Sequence, residues 1–188
     1  MARLVRCATC GFITEEGKLG DVCPACGAPR KVFQSYEDSV SAERRRVLGL
    51  HLHPIIVHFS SAFAVSLLVL TALPLVGSEA LGSLARCAAK ALSLATPVVV
   101  IASMATGVLD GRVRFRRVRR SPLLKRKLLL ASVFLASSAL LALLLWLGEL
   151  QSAAVIAGSV ASAAVGLVAS YLLGAWGGGL VNSAFAGK

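Results

Sequence analysis

Residues 7–27 read CATCGFITEEGKLGDVCPACG, two Cys-x-x-Cys-Gly hooks with twelve residues between them. The two residues inside each hook let both thiolates straddle one ion. The glycines that follow, Gly11 and Gly27, let the backbone turn back so that its N–H groups face the sulfurs. Cys7, Cys10, Cys23 and Cys26 are therefore expected to hold one metal ion in a small β domain over residues 1–34. A pair of disulfides is the competing reading, disfavoured on a reducing side of a membrane. Tetrahedral sulfur suits iron and zinc alike, so spacing leaves the metal open.

Outward from the hooks the chain changes character. Hydrophobic residues make up 56% of the sequence and the mean hydropathy is +0.77, well outside the soluble norm. The N-terminus opens on the polar cysteine segment rather than on a charged start and an apolar run, so no cleaved leader is expected and the first apolar stretch should be retained. The net charge is +11, and nine of the twenty Lys and Arg residues fall within Arg112 to Lys127, between two apolar runs. That placement points to anionic lipid head groups. No aromatic or base-reading motif accompanies the charge, and nucleic acid is not an expected partner.

Four stretches are long enough to cross a bilayer as helices: about 54–76, 91–109, 128–147 and 152–174, inside a four-helix domain over 51–176. A charged helical linker is expected over 35–50, a short return over 78–90, and a tail over 177–188. Arg44, Arg45 and Arg46 precede the first span and the basic segment follows the second. By the positive-inside rule both ends of the chain lie on the cytoplasmic side of a multi-pass protein in a prokaryotic cytoplasmic membrane. In the fourth span Gly158, Ser162, Gly166, Ser170 and Gly174 recur every four residues, a small-residue stripe for close packing inside the bundle or in a homo-oligomer. Cys87, far from the hooks, reads as a packing residue.

All three histidines fall within one octet, His51-Leu-His53-Pro-Ile-Ile-Val-His58, at the entry to the first span. An ionisable residue about one turn inside an apolar run suggests function, which singles out His58. If the first two spans form an antiparallel hairpin, His58 is level with Met104 to Thr106 and His53 with Asp110. A histidine beside a carboxylate could relay protons for a quinone headgroup; alternatively, Asp110 ends its helix by pairing with Arg112 or its neighbours. Haem b is the other cofactor to weigh. No second helix offers an imidazole, so Met104, or His58 of a second copy, would have to complete the ligation.

Cys-x-x-Cys-Gly-Phe-Ile followed by Cys-Pro-Ala-Cys-Gly-Ala-Pro-Arg-Lys-Val-Phe resembles the short rubredoxin domain of rubrerythrins over about residues 5–34, with Phe12 and Phe33 at the family's core aromatic positions. The resemblance implies one iron cycling between ferric and ferrous states. The octet, with Thr106-Gly-Val-Leu-Asp110, resembles a family of four-helix membrane domains of unknown function that opens His-Pro-x-x-Val-His-Phe-Pro. This chain has Ser60 at the usual proline. It carries Lys125 and Lys127 where that family has a histidine near the third span. The expected fold is thus a small rubredoxin-like or zinc-ribbon β domain plus an all-α four-helix transmembrane bundle. The expected function is electron transfer from an Fe(Cys)4 centre on the cytoplasmic side to a quinone, a haem or a redox protein. A zinc ribbon with a structural or docking role is the alternative. No nucleophile, base and orienting group come together, so an oxidoreductase component is expected rather than a stand-alone enzyme, and no catalytic residue is assigned.

Overall fold

In Leu4–Cys7 (β1) residues alternate between two faces, and Val5 and Cys7 fall on the buried one. A computed structural model describes residues 3–37, 41–115, 121–148 and 152–182, and the chain divides into two compact units, 1–45 and 46–178, taken here in turn. In the first, β1 is the central strand of a three-stranded antiparallel sheet. Ile13–Glu15 (β2) pairs on one side, with Val5 opposite Thr14, and Phe33–Tyr36 (β3) on the other, with Cys7 opposite Phe33. A sheet this small buries little: Val5 and Leu19 join Cys7 and Cys23 as its fully buried residues, and Phe12 and Phe33 are half-buried. Arg30 ties the long loop by donating to the Leu19 carbonyl at 2.8 Å. The sheet runs through Tyr36, two residues past the expected domain end, and a short helix, α1 (Ala42–Leu48), lies within the charged connector.

The second unit is built on Leu52–Ala72 (α2), Glu79–Phe115 (α3), Pro122–Leu147 (α4) and Ala153–Asn182 (α5). Among the described residues, four helices are long and apolar enough to cross a membrane. All four supply its core: Leu67, Ala89, Leu141 and Ala163 in one cluster, Ala64, Val100, Phe134 and Ala169 in another. Large apolar side chains such as Phe59, Val98, Leu129 and Val168 face outward. That distribution suits a lipid surround, in which burying apolar area between helices carries no hydrophobic gain. Small residues do the packing instead. A Cβ on Gly166 would touch Phe134 at 3.3 Å and one on Gly158 would touch Leu144 at 3.3 Å, while Ser162 donates to the Ser137 carbonyl at 2.8 Å. Gly158, Ser162 and Gly166 of the fourth-span stripe pack against α4, while Ser170 donates to Ser61 Oγ on α2 at 3.1 Å and a Cβ on Gly174 would meet nothing within 4 Å.

Two expectations change. The chain reverses in Leu73–Leu75, a 3-10 turn, and Val76–Ser78, so residues 79–90 are helix rather than a return. Ser78 receives the Leu81 N–H at 3.4 Å at the start of that helix, which Glu79 opens with an acidic residue suited to the dipole. Lys90, the last residue of the expected return, lies in the helix with its ammonium 5.6 Å from the Trp146 ring, while Trp146 Nε1 donates to the Lys90 carbonyl at 3.1 Å. At the other end α3 continues to Phe115, six residues past the expected 109, because arginines can extend from a helix end without breaking it.

Candidate metal centre and the polar end of the bundle

The two hooks have the same backbone. Gly11 N–H donates to the Cys7 carbonyl and Gly27 N–H to the Cys23 carbonyl, both at 2.8 Å, closing a tight turn around each Cys-x-x-Cys. Gly11 and Gly27 have φ of 77° and 73°, the left-handed region in which a Cβ is strained. One residue on, the chain returns: the Cys7 N–H donates to the Phe12 carbonyl at 2.8 Å and the Cys23 N–H to Ala28 at 2.7 Å. The hooks face each other, with Cys7 Sγ 3.8 Å from Cys26 Sγ and Cys10 Sγ 3.7 Å from Cys23 Sγ, and all four sulfurs within 4.8 Å of one another. A tetrahedron with metal–sulfur bonds of about 2.3 Å has edges of about 3.8 Å. The donor set fits one tetrahedral ion, iron or zinc.

Amide groups favour the charged sulfurs, and the sulfurs oppose one another. Burial works against a Cys7 thiolate, but the Cys10 and Thr9 N–H groups and the Cys10 and Cys26 thiols outweigh it and bring Cys7 down to about 6. The Ala28 N–H favours a Cys26 thiolate, yet the Cys10 thiol, desolvation, and then Cys23 and Cys7 push it up to about 12. Cys10 is likewise raised: the Phe12 N–H lowers it, and desolvation with the Cys7 and Cys23 thiols prevails. Without a cation the four sulfurs cannot all carry charge; with one they can. The first cysteine of each hook is buried, Cys7 at 0% and Cys23 at 1% exposure, while Cys10 is half-buried and Cys26 exposed. One edge of the tetrahedron therefore reaches the surface.

In the helical unit the histidine octet divides. His51 sits at φ 50°, just before α2, and is exposed; its backbone turns the chain into the helix and its carbonyl accepts the Ile55 N–H at 3.0 Å. His58 is exposed too, its Nδ1–H donated to the Pro54 carbonyl one turn back. The imidazole turned toward α3 is His53, which is half-buried. Its Nδ1 lies 3.4 Å from Thr106 Oγ1, and the Ser103 carbonyl also accepts from the ring. Thr106 commits its own hydrogen to the Ala102 carbonyl at 2.8 Å, so toward His53 it accepts, and Nδ1 carries the proton. His53 thus meets residues 103–107 of α3, with Asp110 about one turn further on, and Ser103 Oγ donating to Ser60 Oγ at 3.4 Å joins the same two helices.

Asp110 and Lys127 lie near enough for their charges to act on His53. Lys127 is half-buried, and its Nζ would stand 3.2 Å from a Cβ on Gly177, so residues of all four helices meet at this end of the bundle. Met104 packs against Ala64, Val100, Phe134 and Ala169. Lys127 was not assigned to the site from sequence, although its place at the histidine position of the resembled family was the available signal. Thr106 lay in plain view within the Thr106-to-Asp110 motif.

The family model for the rubrerythrin rubredoxin-like domain matches residues 6–34, the segment that carries both hooks. No curated protein and no solved structure matches the chain.

Proposed function

We propose that this chain is a membrane-anchored electron carrier whose Cys7, Cys10, Cys23 and Cys26 hold one iron, and that it exchanges single electrons with a quinone or haem partner in the membrane. The observation that carries the reading is the tetrahedral set of four sulfurs in a segment matching a rubredoxin-like domain. The metal would supply a one-electron couple. The chain supplies the rest: thiolates that hold the ion, amide N–H groups that offset their charge, and a surface edge at Cys26 through which a partner can approach. We place both termini and the metal centre on the cytoplasmic side, on the strength of the basic segment between the second and third spans.

At the bundle, the polar end formed by His53, Thr106, Asp110 and Lys127 is the proton-handling group of this reading. The likeness of 50–175 to the four-helix domains that open His-Pro-x-x-Val-His-Phe supports an architecture and supplies no activity. The test is metal analysis with an absorption spectrum of the purified full-length protein. One iron per chain, with a visible thiolate-to-iron charge-transfer band that bleaches on reduction, is the expected result. A colourless protein with one zinc overturns the electron-transfer reading in favour of a docking or structural zinc ribbon.

A further inference from the structure

Among the described residues, nine serine and threonine side chains are buried in the bundle. Eight of their hydroxyls donate to a neighbour, mostly a carbonyl three or four residues back, as Thr71 does to Leu67 at 2.7 Å. The ninth, Ser159, is 3% exposed and its Oγ has no hydrogen-bond partner. Leaving a buried hydroxyl unpaired costs about 1–3 kcal/mol, and a serine in a helix can ordinarily avoid that by bonding back to its own turn.

Ser159 instead lines a cavity of about 20 Å³ to which all four helices contribute. Leu145, Ile156 and Pro74 make its apolar wall, and Thr71 and Arg86 bring two further polar groups. The Arg86 side chain folds back over its own helix, with Nη1 3.4 Å from where a Cβ on Gly82 would lie. A water needs about 10–15 Å³ on the same measure and two to four polar partners. The volume suffices, and Ser159, Thr71 and Arg86 are the polar side chains on its lining. A second cavity, lined by Thr96, Ser137, Ser138 and Ser162, is about 10 Å³ and all four of its hydroxyls are already bonded.

We infer that the first cavity is a built hydration site in which one ordered water joins the Ser159 hydroxyl to the Arg86 guanidinium. The water accepts from Arg86 and from Ser159 and donates to Thr71 Oγ1, whose own hydrogen is committed to backbone carbonyls. Among the described residues it satisfies the buried hydroxyl left without a partner, and it solvates a guanidinium on a span-length helix, where an unsolvated charge is expensive. The second cavity stays dry.

The test is a high-resolution crystal structure of the full chain grown in a lipid mesophase without halide, with parallel crystals exchanged into bromide or pressurised with xenon. The expected result is one water peak within hydrogen-bonding distance of Ser159 Oγ, none in the second cavity, and loss of the peak in Ser159→Ala. An empty or xenon-filled cavity in the wild type overturns the inference by showing the site dry. An anomalous bromide peak there overturns it by making the site one for an anion.

Discussion

The His53 imidazole lies flat against the backbone of Gly107: a Cβ built on that glycine would meet His53 Cε1 at 2.9 Å and Nδ1 at 3.2 Å. The contact lets the ring reach Thr106 and Ser103 on α3. Gly107→Ala must displace the ring or spread the helices, at a cost of about 1–3 kcal/mol. At Gly174 a Cβ meets nothing within 4 Å, and alanine there should gain up to about 1 kcal/mol from helix propensity. Thermal unfolding of the two variants in one detergent should move in opposite directions; equal shifts would show that the His53 contact carries no weight.

Loss of one thiolate should be felt in the metal domain and not in the bundle. Cys23 is 1% exposed, and Cys23→Ser replaces a buried thiol of the candidate metal site with a hydroxyl. Bound metal should fall from one per chain to well below one, and the small sheet should lose its order, since the ion supplies much of its folding free energy. Helical circular dichroism, which comes mainly from α2 to α5, should be nearly unchanged.

The hook glycines test backbone strain apart from packing. At Gly27, φ is 73° and a Cβ meets nothing within 4 Å, so Gly27→Ala carries only the left-handed cost of about 1–2 kcal/mol. Gly17, with equally open surroundings and no positive φ, should tolerate alanine with little change. The rate of metal release to a chelator is the measurement, and it should rise for Gly27→Ala alone.

Metal affinity should rise with pH. Cys10 is raised and Cys26 is pushed up to about 12, so both are protonated at neutral pH in the metal-free chain, while Cys7, held down to about 6, is largely charged. Binding must displace the protons on the raised pair, and each proton displaced weakens apparent affinity tenfold per unit of acidification. Competition with a chelator at a series of pH values, with proton release measured in weak buffer, checks the sign and the count.

Much of the metal centre was legible because its determinants are local. Two residues between cysteines set how a hook straddles an ion, and a glycine after the second cysteine is the residue that adopts φ near 75°. The helical bundle was legible in outline for the same reason: a run of about twenty apolar residues signals a span whatever lies beside it. The ends of α3 were harder to read, since Glu79 to Lys90 and Arg112 to Phe115 are charged and yet helical. Lysine and arginine reach away from a helix, and their charge need not end it.

By itself, then, the sequence determined four close sulfurs of a kind that suits one ion and four span-length helices, both consequences of spacing along a few turns of chain. Only the tertiary structure decided which imidazole enters the bundle. Five residues separate His53 from His58, and at 3.6 residues per turn that places them about 140° apart around α2, so a helix packing one against α3 turns the other away. The choice depends on where the chain reverses, at Leu73–Leu75. That distant turn sets the register of the hairpin, and through it His53 lies beside Thr106 and Gly107.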